Sequence, residues 1–252
     1  MKERTCFGHR WSRRDCLKAI GGLAVGAVAV TSGVSWLKGQ KSVYELGQEA
    51  LVECQRLARP KMEALLGSEN AERCCTAMLA EYDGFAAQLP AFQDGNNRGV
   101  FYRNAPFVLS LYRALRGEFG MRQDEALPLL SEITDDKVRA YLDNEPVNRF
   151  IMARVAKSAF YRKLFLSVWT RKDEPYGWTT EFPASDAYIA IDVTRCGLVD
   201  WYAAQGAPEV APIGCQGDFI VAEYMPGIEL ARTKTIADGD EVCEFRYRRE
   251  QT

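Results

Sequence analysis

The spacing of the apolar residues changes once along this chain, and that change constrains the fold more than any other feature. Between positions 42 and 169 apolar side chains recur every three to four residues, as they do on one face of a helix. The spacing predicts helices over 42–66, 70–89, 106–119, 123–133, 135–142 and 146–169, with Thr134 as the cap of the fifth. From position 188 to 194 apolar and polar residues alternate instead, which indicates a half-buried strand.

Short helices are expected next, over 197–204 and from about 215 to 224. Strands over 228–236 and 241–248 then flank the step Asp238-Gly239, which is typical of a β-hairpin. The predicted class is therefore α+β: an N-terminal helical array packed on a small antiparallel C-terminal sheet with a terminal β-hairpin. Residues 39–252, free of repeats and low-complexity tracts, are expected to form a single domain.

The first 38 residues have the layout of a twin-arginine export signal. Arg13 and Arg14 lie in a basic segment that an uncharged stretch from position 19 to 37 follows. We expect this signal either to be cleaved or to remain as a membrane anchor, since about 18 apolar residues can span a bilayer. The expected location is the periplasm, or a membrane-anchored position facing it, with the Tat export machinery as a partner. An ordinary amphipathic helix is the alternative.

Charge and histidine content exclude several classes of function. Residues 39–252 carry 25 lysines and arginines against 32 aspartates and glutamates, which argues against a nucleic-acid partner. The only histidine, His9, lies in the leader, so the domain has no Ser-His-Asp or Cys-His machinery and no His-ligated metal. The separated cysteines specify no metal, and no cofactor is expected. Membrane contact is expected only through the N-terminal segment.

The last sixty positions hold the densest group of chemically active side chains. Cys196 ends the predicted strand, Cys215 starts a predicted helix and Cys243 lies in the last strand. A helix N-terminus lowers the pKa of a thiol, so Cys215 is the strongest candidate for a reactive thiolate. Asp218 and Glu223 follow it by three and eight residues and are expected close to the same face of that helix. We expect the three cysteines to meet in space; small core residues or disulfides, whose pairing the spacing does not decide, are the alternative.

Arg232 and Arg246 lie on the two arms of the predicted hairpin, and paired guanidiniums commonly hold a small carboxylate. If the turn is centred on Asp238-Gly239, positions that sum to 477 pair, so that Arg232 faces Phe245. The arginines share a face only if the turn has two residues or a bulge restores the parity. A solvated strand face, or an ion pair with a neighbouring glutamate, is the alternative.

These C-terminal residues resemble a known family. The run Arg232-Thr233-Lys234-Thr235-Ile236-Ala237-Asp238-Gly239, followed by Cys243-Glu244-Phe245-Arg246, is similar to the L-2-amino-thiazoline-4-carboxylic acid hydrolases, and the resemblance extends over about residues 188–248. It implies a small-molecule substrate and hydrolytic opening of a thiazoline ring at its amidine-like carbon, with cleavage of a carbon–nitrogen or carbon–sulfur bond.

The resemblance also implies roles for the residues already named. A Cys215 thiolate or a water activated by Asp218 would attack the ring carbon, and Glu223 would protonate the leaving atom. Cys196 and Cys243 are further catalytic candidates, and the candidates for substrate binding are Arg232, Thr235 and Arg246. The ending Gly239-Asp240-x-x-Cys243-x-Phe245 also resembles 4-vinyl reductase-type domains, which implies a non-catalytic small-ligand-binding module as the alternative function.

Overall fold

A computed structural model describes residues 41–250 of the chain. The leader predicted for residues 1–38 lies outside the described residues. Four long helices form the first part of the fold: α1 (Val43–Leu66), α2 (Ser68–Phe85), α3 (Gly95–Gly117) and α4 (Gln123–Asn144). Helix α1 packs against the other three. Helix α3 supplies much of the core, because Phe101, Phe107 and Leu111 on it are fully buried.

Four shorter helices follow: α5 (Pro146–Met152), α6 (Ala159–Ser167), α7 (Gly197–Ala204) and α8 (Ala211–Glu223). The strands are β1 (Thr179–Glu181), β2 (Ile189–Arg195), β3 (Ile228–Ala231) and β4 (Cys243–Arg249). They form one antiparallel sheet in the order β1-β2-β4-β3. The α+β class is therefore confirmed, with helices in the first part of the chain and a small sheet ending in a β3–β4 pair.

Alternation along the strands gives the sheet an inner and an outer face. On β2 and β4 the buried residues are Ile189, Ile191, Val193, Cys243, Phe245 and Tyr247. The register predicted for the hairpin is confirmed, because the paired residues of β3 and β4, such as Ala231 and Arg246, have numbers that sum to 477. Arg232, the residue after β3, therefore continues the inner face.

The connection between β3 and β4 differs from the predicted two-residue turn. The strands stop well short of Asp238-Gly239, and residues 232–242 form a longer loop that contains a short 3-10 turn, Ile236–Asp238. The Thr235 hydroxyl accepts a hydrogen bond from the Asp238 amide at 3.1 Å, and Gly239 closes the turn at a φ of 98°. This local hydrogen bonding competes with strand pairing and opens the hairpin.

Several helix predictions were wrong in their bounds. The predicted cap Thr134 lies buried inside α4, which runs unbroken from residue 123 to 144. Helix α3 starts at Gly95, where the Asp94 carboxylate accepts hydrogen bonds from the amides of Asn96 and Asn97, and Pro106 lies within it. The predicted 146–169 helix divides into α5 and α6. Within the described range, no helix is both long and apolar enough to cross a membrane.

Candidate functional site

A buried ion pair joins α8 to the inner face of the sheet. Arg232 Nη1 donates a hydrogen bond to Asp218 Oδ2 at 2.6 Å, and Nη2 donates to the Cys215 carbonyl oxygen at 2.9 Å. The Arg232 side chain is 3% exposed, and its guanidinium carbon lies 4.7 Å from the ring centroid of Phe219 and 5.3 Å from that of Phe245. The guanidinium is thus held between two aromatic rings and fixes the direction of the Asp218 carboxylate.

Asp218 is the acidic group at the centre of this site. Burial raises its pKa from 3.8 to about 6, although the charges of Arg232 and Arg171 oppose the shift. Its side chain nevertheless keeps 32% exposure. The carboxyl is thus surrounded by protein and still reached by solvent. With a pKa near 6, Asp218 is a carboxylate at neutral pH and can still accept and return a proton.

A second guanidinium, that of Arg171, was not identified from the sequence. It lies 4.6 Å from a ring centroid of Trp178 and 5.7 Å from one of Trp169. Burial lowers its pKa to about 10, and the nearby Asp218 carboxylate and Cys196 oppose that shift. No carboxylate within residues 41–250 forms an ion pair with it. The sequence signal that could have identified Arg171 is its position between two tryptophans, Trp169 and Trp178, whose rings can hold a guanidinium.

Three thiols gather around the same point. Burial raises the pKa of each, and the pKa of Cys215 is affected by both Cys196 and Cys243. Cys243 Sγ accepts a hydrogen bond from the Ile236 amide at 3.2 Å. All six cysteines of the described chain are free thiols. The structure thus brings together Cys196, Cys215 and Cys243 without a disulfide among them.

The expected position of Cys215 at a helix N-terminus was wrong. Helix α8 begins at Ala211, with Pro212 in its first turn, so that Cys215 is the fifth helical residue. Burial and the nearby Asp218 carboxylate raise the pKa of its thiol. Cys196 instead holds the N-cap position of α7. The amides of Val199 and Leu198 lower the pKa of Cys196, but burial dominates and the net pKa is about 11.

Close backbone packing places Cys196 beside the loop of residues 168–178, which carries Trp169 and Trp178 and is called the tryptophan loop below. Gly197 lies so near the Tyr176 backbone that a Cβ added to it would be 1.8 Å from the Tyr176 carbonyl oxygen. Only glycine permits this approach. The approach brings the Cys196 thiol to the indole of Trp178, which lowers the thiol pKa.

Two tyrosines complete the interior of the site. Tyr202 on α7 is fully buried, and its hydroxyl has no hydrogen-bond partner among the described residues. Burial raises its pKa, and Cys196 and Cys215 add to the shift. Tyr247 on β4 is also buried, and its pKa is raised by burial and by Asp218. Neutral hydroxyls and thiols therefore surround the charged groups.

Arg246 does not share the site with Arg232. In the confirmed register Arg246 pairs with Ala231, the neighbour of Arg232, so the two arginines lie on opposite faces. The expectation that this register places them on one face, where they could hold one carboxylate together, was wrong. Arg246 Nη1 donates to Asp192 Oδ1 at 2.6 Å on the outer face of the sheet. It also donates to the Ile191 carbonyl at 3.2 Å. This pair spans β4 and β2 and ties the strands together.

Glu223 and Thr235 are likewise engaged elsewhere. Glu223 is 53% exposed and forms an ion pair with Arg139 of α4. Five residues separate it from Asp218, which turns it about 140° around the helix, so it was wrongly expected on the same face. The Thr235 hydroxyl donates to Asp238 at 2.8 Å within the 3-10 turn. Its hydrogen-bonding capacity serves the loop.

Within residues 41–250 no three histidine, cysteine, aspartate or glutamate side chains are grouped so that they could hold a metal ion. A family model described as L-2-amino-thiazoline-4-carboxylic acid hydrolase matches residues 101–247, more than half of the chain. The matched range contains Arg171, Cys196, Cys215, Asp218, Arg232 and Cys243. Searches of curated proteins and of solved structures each found no significant match.

Proposed function

Because the chain belongs to the L-2-amino-thiazoline-4-carboxylic acid hydrolase family, we propose that it opens the ring of a small cyclic amidine carboxylate by hydrolysis. One observation carries the proposal: the Asp218 carboxyl is held by the buried Arg232 guanidinium at 2.6 Å and is still 32% exposed to solvent, and burial raises its pKa to about 6. A group with that pKa can take a proton from water near neutral pH and give it back within one cycle.

The proposed reaction starts with a water molecule beside Asp218. Asp218 takes one proton from it while the oxygen bonds to the ring carbon that carries the exocyclic nitrogen; the electron pair of the carbon–nitrogen double bond moves to the ring nitrogen, and Asp218 gives that nitrogen the proton. Asp218 then takes the remaining hydroxyl proton as the carbonyl forms, and the bond from the carbon to the ring nitrogen or sulfur breaks with its electron pair going to that heteroatom. Asp218 gives this second proton to the heteroatom, so the carboxylate is regenerated and water is the only co-reactant.

Arg171 is proposed to hold the substrate carboxylate. Its guanidinium is near Asp218, and no carboxylate of residues 41–250 is paired with it. Planar guanidiniums bind carboxylates through two parallel hydrogen bonds. Trp169 and Trp178, which flank the group, provide an apolar wall that strengthens such a bond by excluding water.

Arg232 is proposed as a positioning residue. It is already paired with Asp218, so its part is to aim the carboxylate and to lower its pKa. The three thiols, whose pKa values burial raises, are proposed to line the site in their neutral form. The proposed base is therefore the Asp218 carboxylate, with no Cys215 thiolate required.

The test is a hydrolysis assay on the purified chain with L-2-amino-thiazoline-4-carboxylate, following product formation. Asp218→Asn should lower kcat by about a hundredfold or more, as expected for loss of a general base. Asp192→Asn is the matched control, since Asp192 also pairs with an arginine but on the outer face; it should retain activity. Arg171→Met should raise KM about tenfold or more, the loss expected for a charged hydrogen bond.

Equal activity of the Asp218→Asn and Asp192→Asn variants would contradict the assignment of the base. Wild-type protein that binds the thiazoline carboxylate in a calorimetric titration but never converts it would contradict the hydrolase proposal. That second result would favour the non-catalytic binding module.

A further inference from the structure

Helices α5 and α6 expose large apolar side chains to solvent. Val147 and Phe150 on α5 are 54% and 48% exposed, and Phe160 on α6 is 55% exposed. Cations lie among them. We call the group the aromatic-basic surface; its members are Val147, Phe150, Arg154, Lys157, Phe160, Tyr161 and Lys163.

Ring contacts join Phe150, Arg154, Phe160 and Tyr161 into one patch. The Phe150 and Phe160 rings both contact Tyr161, with centroids 5.9 Å and 5.3 Å from its ring. The guanidinium carbon of Arg154 lies 3.4 Å from the Phe150 centroid. Lys157 and Lys163, both exposed, lie three positions before and after Phe160.

The charge of this stretch is opposite to that of the rest of the domain. Residues 146–172 contain seven lysines and arginines and no aspartate or glutamate. The remainder of residues 39–252 holds 18 basic side chains against 32 acidic ones. Arg171 is one of the seven but lies at the candidate site, whereas Arg154, Lys157 and Lys163 belong to the aromatic-basic surface. This surface of an acidic domain is therefore locally cationic and will be drawn towards an anionic surface.

The opposite side of α6 faces the core. Phe165 is buried, and its ring centroid lies 5.5 Å from that of Tyr247 on the inner face of the sheet. The buried Phe165 thus fixes α6 to the domain. Phe160 and Lys163 can therefore contact a partner without any unfolding of the helix. The surface is separate from Asp218 and does not depend on the proposed reaction.

We propose that the aromatic-basic surface binds the headgroup region of an anionic lipid bilayer. Clustered lysines and arginines gain attraction from anionic lipids, and exposed Phe and Val side chains insert at the boundary between headgroups and acyl chains. The apolar residues favour a bilayer over a nucleic acid, which would leave Val147 and Phe150 without an apolar partner. This contact is additional to the one expected of the N-terminal segment.

The test uses the full chain and two matched double variants. Phe160→Ser with Lys163→Glu alters the surface, whereas Val52→Ser with Arg56→Glu makes the corresponding apolar-to-serine and basic-to-glutamate changes on α1, where Val52 is also exposed. Each is sedimented with vesicles of phosphatidylglycerol and phosphatidylcholine, and with phosphatidylcholine alone. The wild type and both variants carry the same N-terminal segment. A difference in vesicle binding between the two variants therefore measures the contribution of the aromatic-basic surface.

The surface variant should partition to the anionic vesicles about tenfold more weakly than wild type and the α1 variant, the loss expected for reversing a charge near the membrane. Hydrogen exchange of the wild-type protein should slow over residues 146–163 when anionic vesicles are added, and salt should weaken this protection. Equal partitioning of the two variants, or no protection of these residues, would overturn the proposal. Protection by duplex DNA but not by vesicles would overturn it as well.

Discussion

The ion pair of Arg232 and Asp218 controls when the proposed base carries its charge. Burial raises the pKa of Asp218 to about 6, and the charge of Arg232 opposes this rise. Arg232 is almost fully buried, so solvent screens its attraction little. Asp218 acts as a base only when it is ionised. Activity should therefore rise with pH through about 6 and reach a plateau above it.

Removal of the Arg232 charge should move that rise to higher pH. In Arg232→Gln the Asp218 carboxylate loses its charged hydrogen bond, and its pKa should increase by about 1 unit or more. The measurement is kcat/KM against pH for the thiazoline carboxylate. Arg246→Gln, which removes an arginine paired on the outer face, should leave the midpoint unchanged. Identical pH profiles for the two variants would contradict the role given to Arg232.

At the scale of elements, one glycine sets the distance between α7 and the tryptophan loop. The Cβ of Gly197→Ala would collide with the Tyr176 backbone, which cannot turn aside as a side chain does. We expect this variant to lose about 2–4 kcal/mol of unfolding free energy, as other overpacked or strained sites do. The proposed hydrolysis should weaken too, since Trp178 and Cys196 would separate.

Gly214→Ala on α8 is the matched control. Nothing comes nearer than 4.0 Å to its added Cβ, and alanine is the better helix former, so stability should rise by up to about 1 kcal/mol. Urea unfolding of the two variants measures the difference. A Gly197→Ala protein as stable as Gly214→Ala would show that the α7 contact is not as close as described.

The sequence predicted those elements best that have a strict period and a buried face. Alternation over 188–194 identified β2, which spans Ile189–Arg195, and the register of β3 with β4 followed from arithmetic on a presumed turn. The loop between β3 and β4 was not predicted, because Thr235 and Gly239 cap a 3-10 turn where a two-residue turn was expected. Helix α8 starts four residues before the predicted position, after a 3-10 turn that Pro208 begins.

The site was predictable in part for the same reason. Asp218, Cys196 and Cys243 were identified because they lie on or beside elements with a clear pattern. Arg171 was missed because its position depends on how the loop after α6 packs against the sheet. The periodicity of apolar residues in the sequence does not predict that packing. The wrong pairing of Arg232 with Arg246 came from their nearness along the hairpin, although alternation places them on opposite faces.

At the scale of the whole molecule, the helical array contains a charge that it does not neutralise. Lys137 on α4 is buried, and its Nζ donates to the Arg103 carbonyl at 3.2 Å and to Asn104 Oδ1 at 3.3 Å. No carboxylate among residues 41–250 forms an ion pair with it. Burial lowers its pKa below 10.5. Helix α4 contacts α1, α3 and α8. The desolvation of the Lys137 ammonium therefore lowers the free energy of unfolding of the helical array as a whole.

Lys137→Met should therefore make the protein more stable by about 1–3 kcal/mol at neutral pH, because an apolar side chain replaces a desolvated charge. The unfolded chain binds more protons than the native one between the lowered pKa and 10.5, so wild-type stability should increase with pH across that window. The methionine variant should lack this increase. Urea unfolding at several alkaline pH values measures both effects, with Lys61→Met, which removes the partner of Glu132, as the control. A variant that is less stable than wild type, or that keeps the same pH slope, would show that Lys137 is held charged by its two oxygen acceptors.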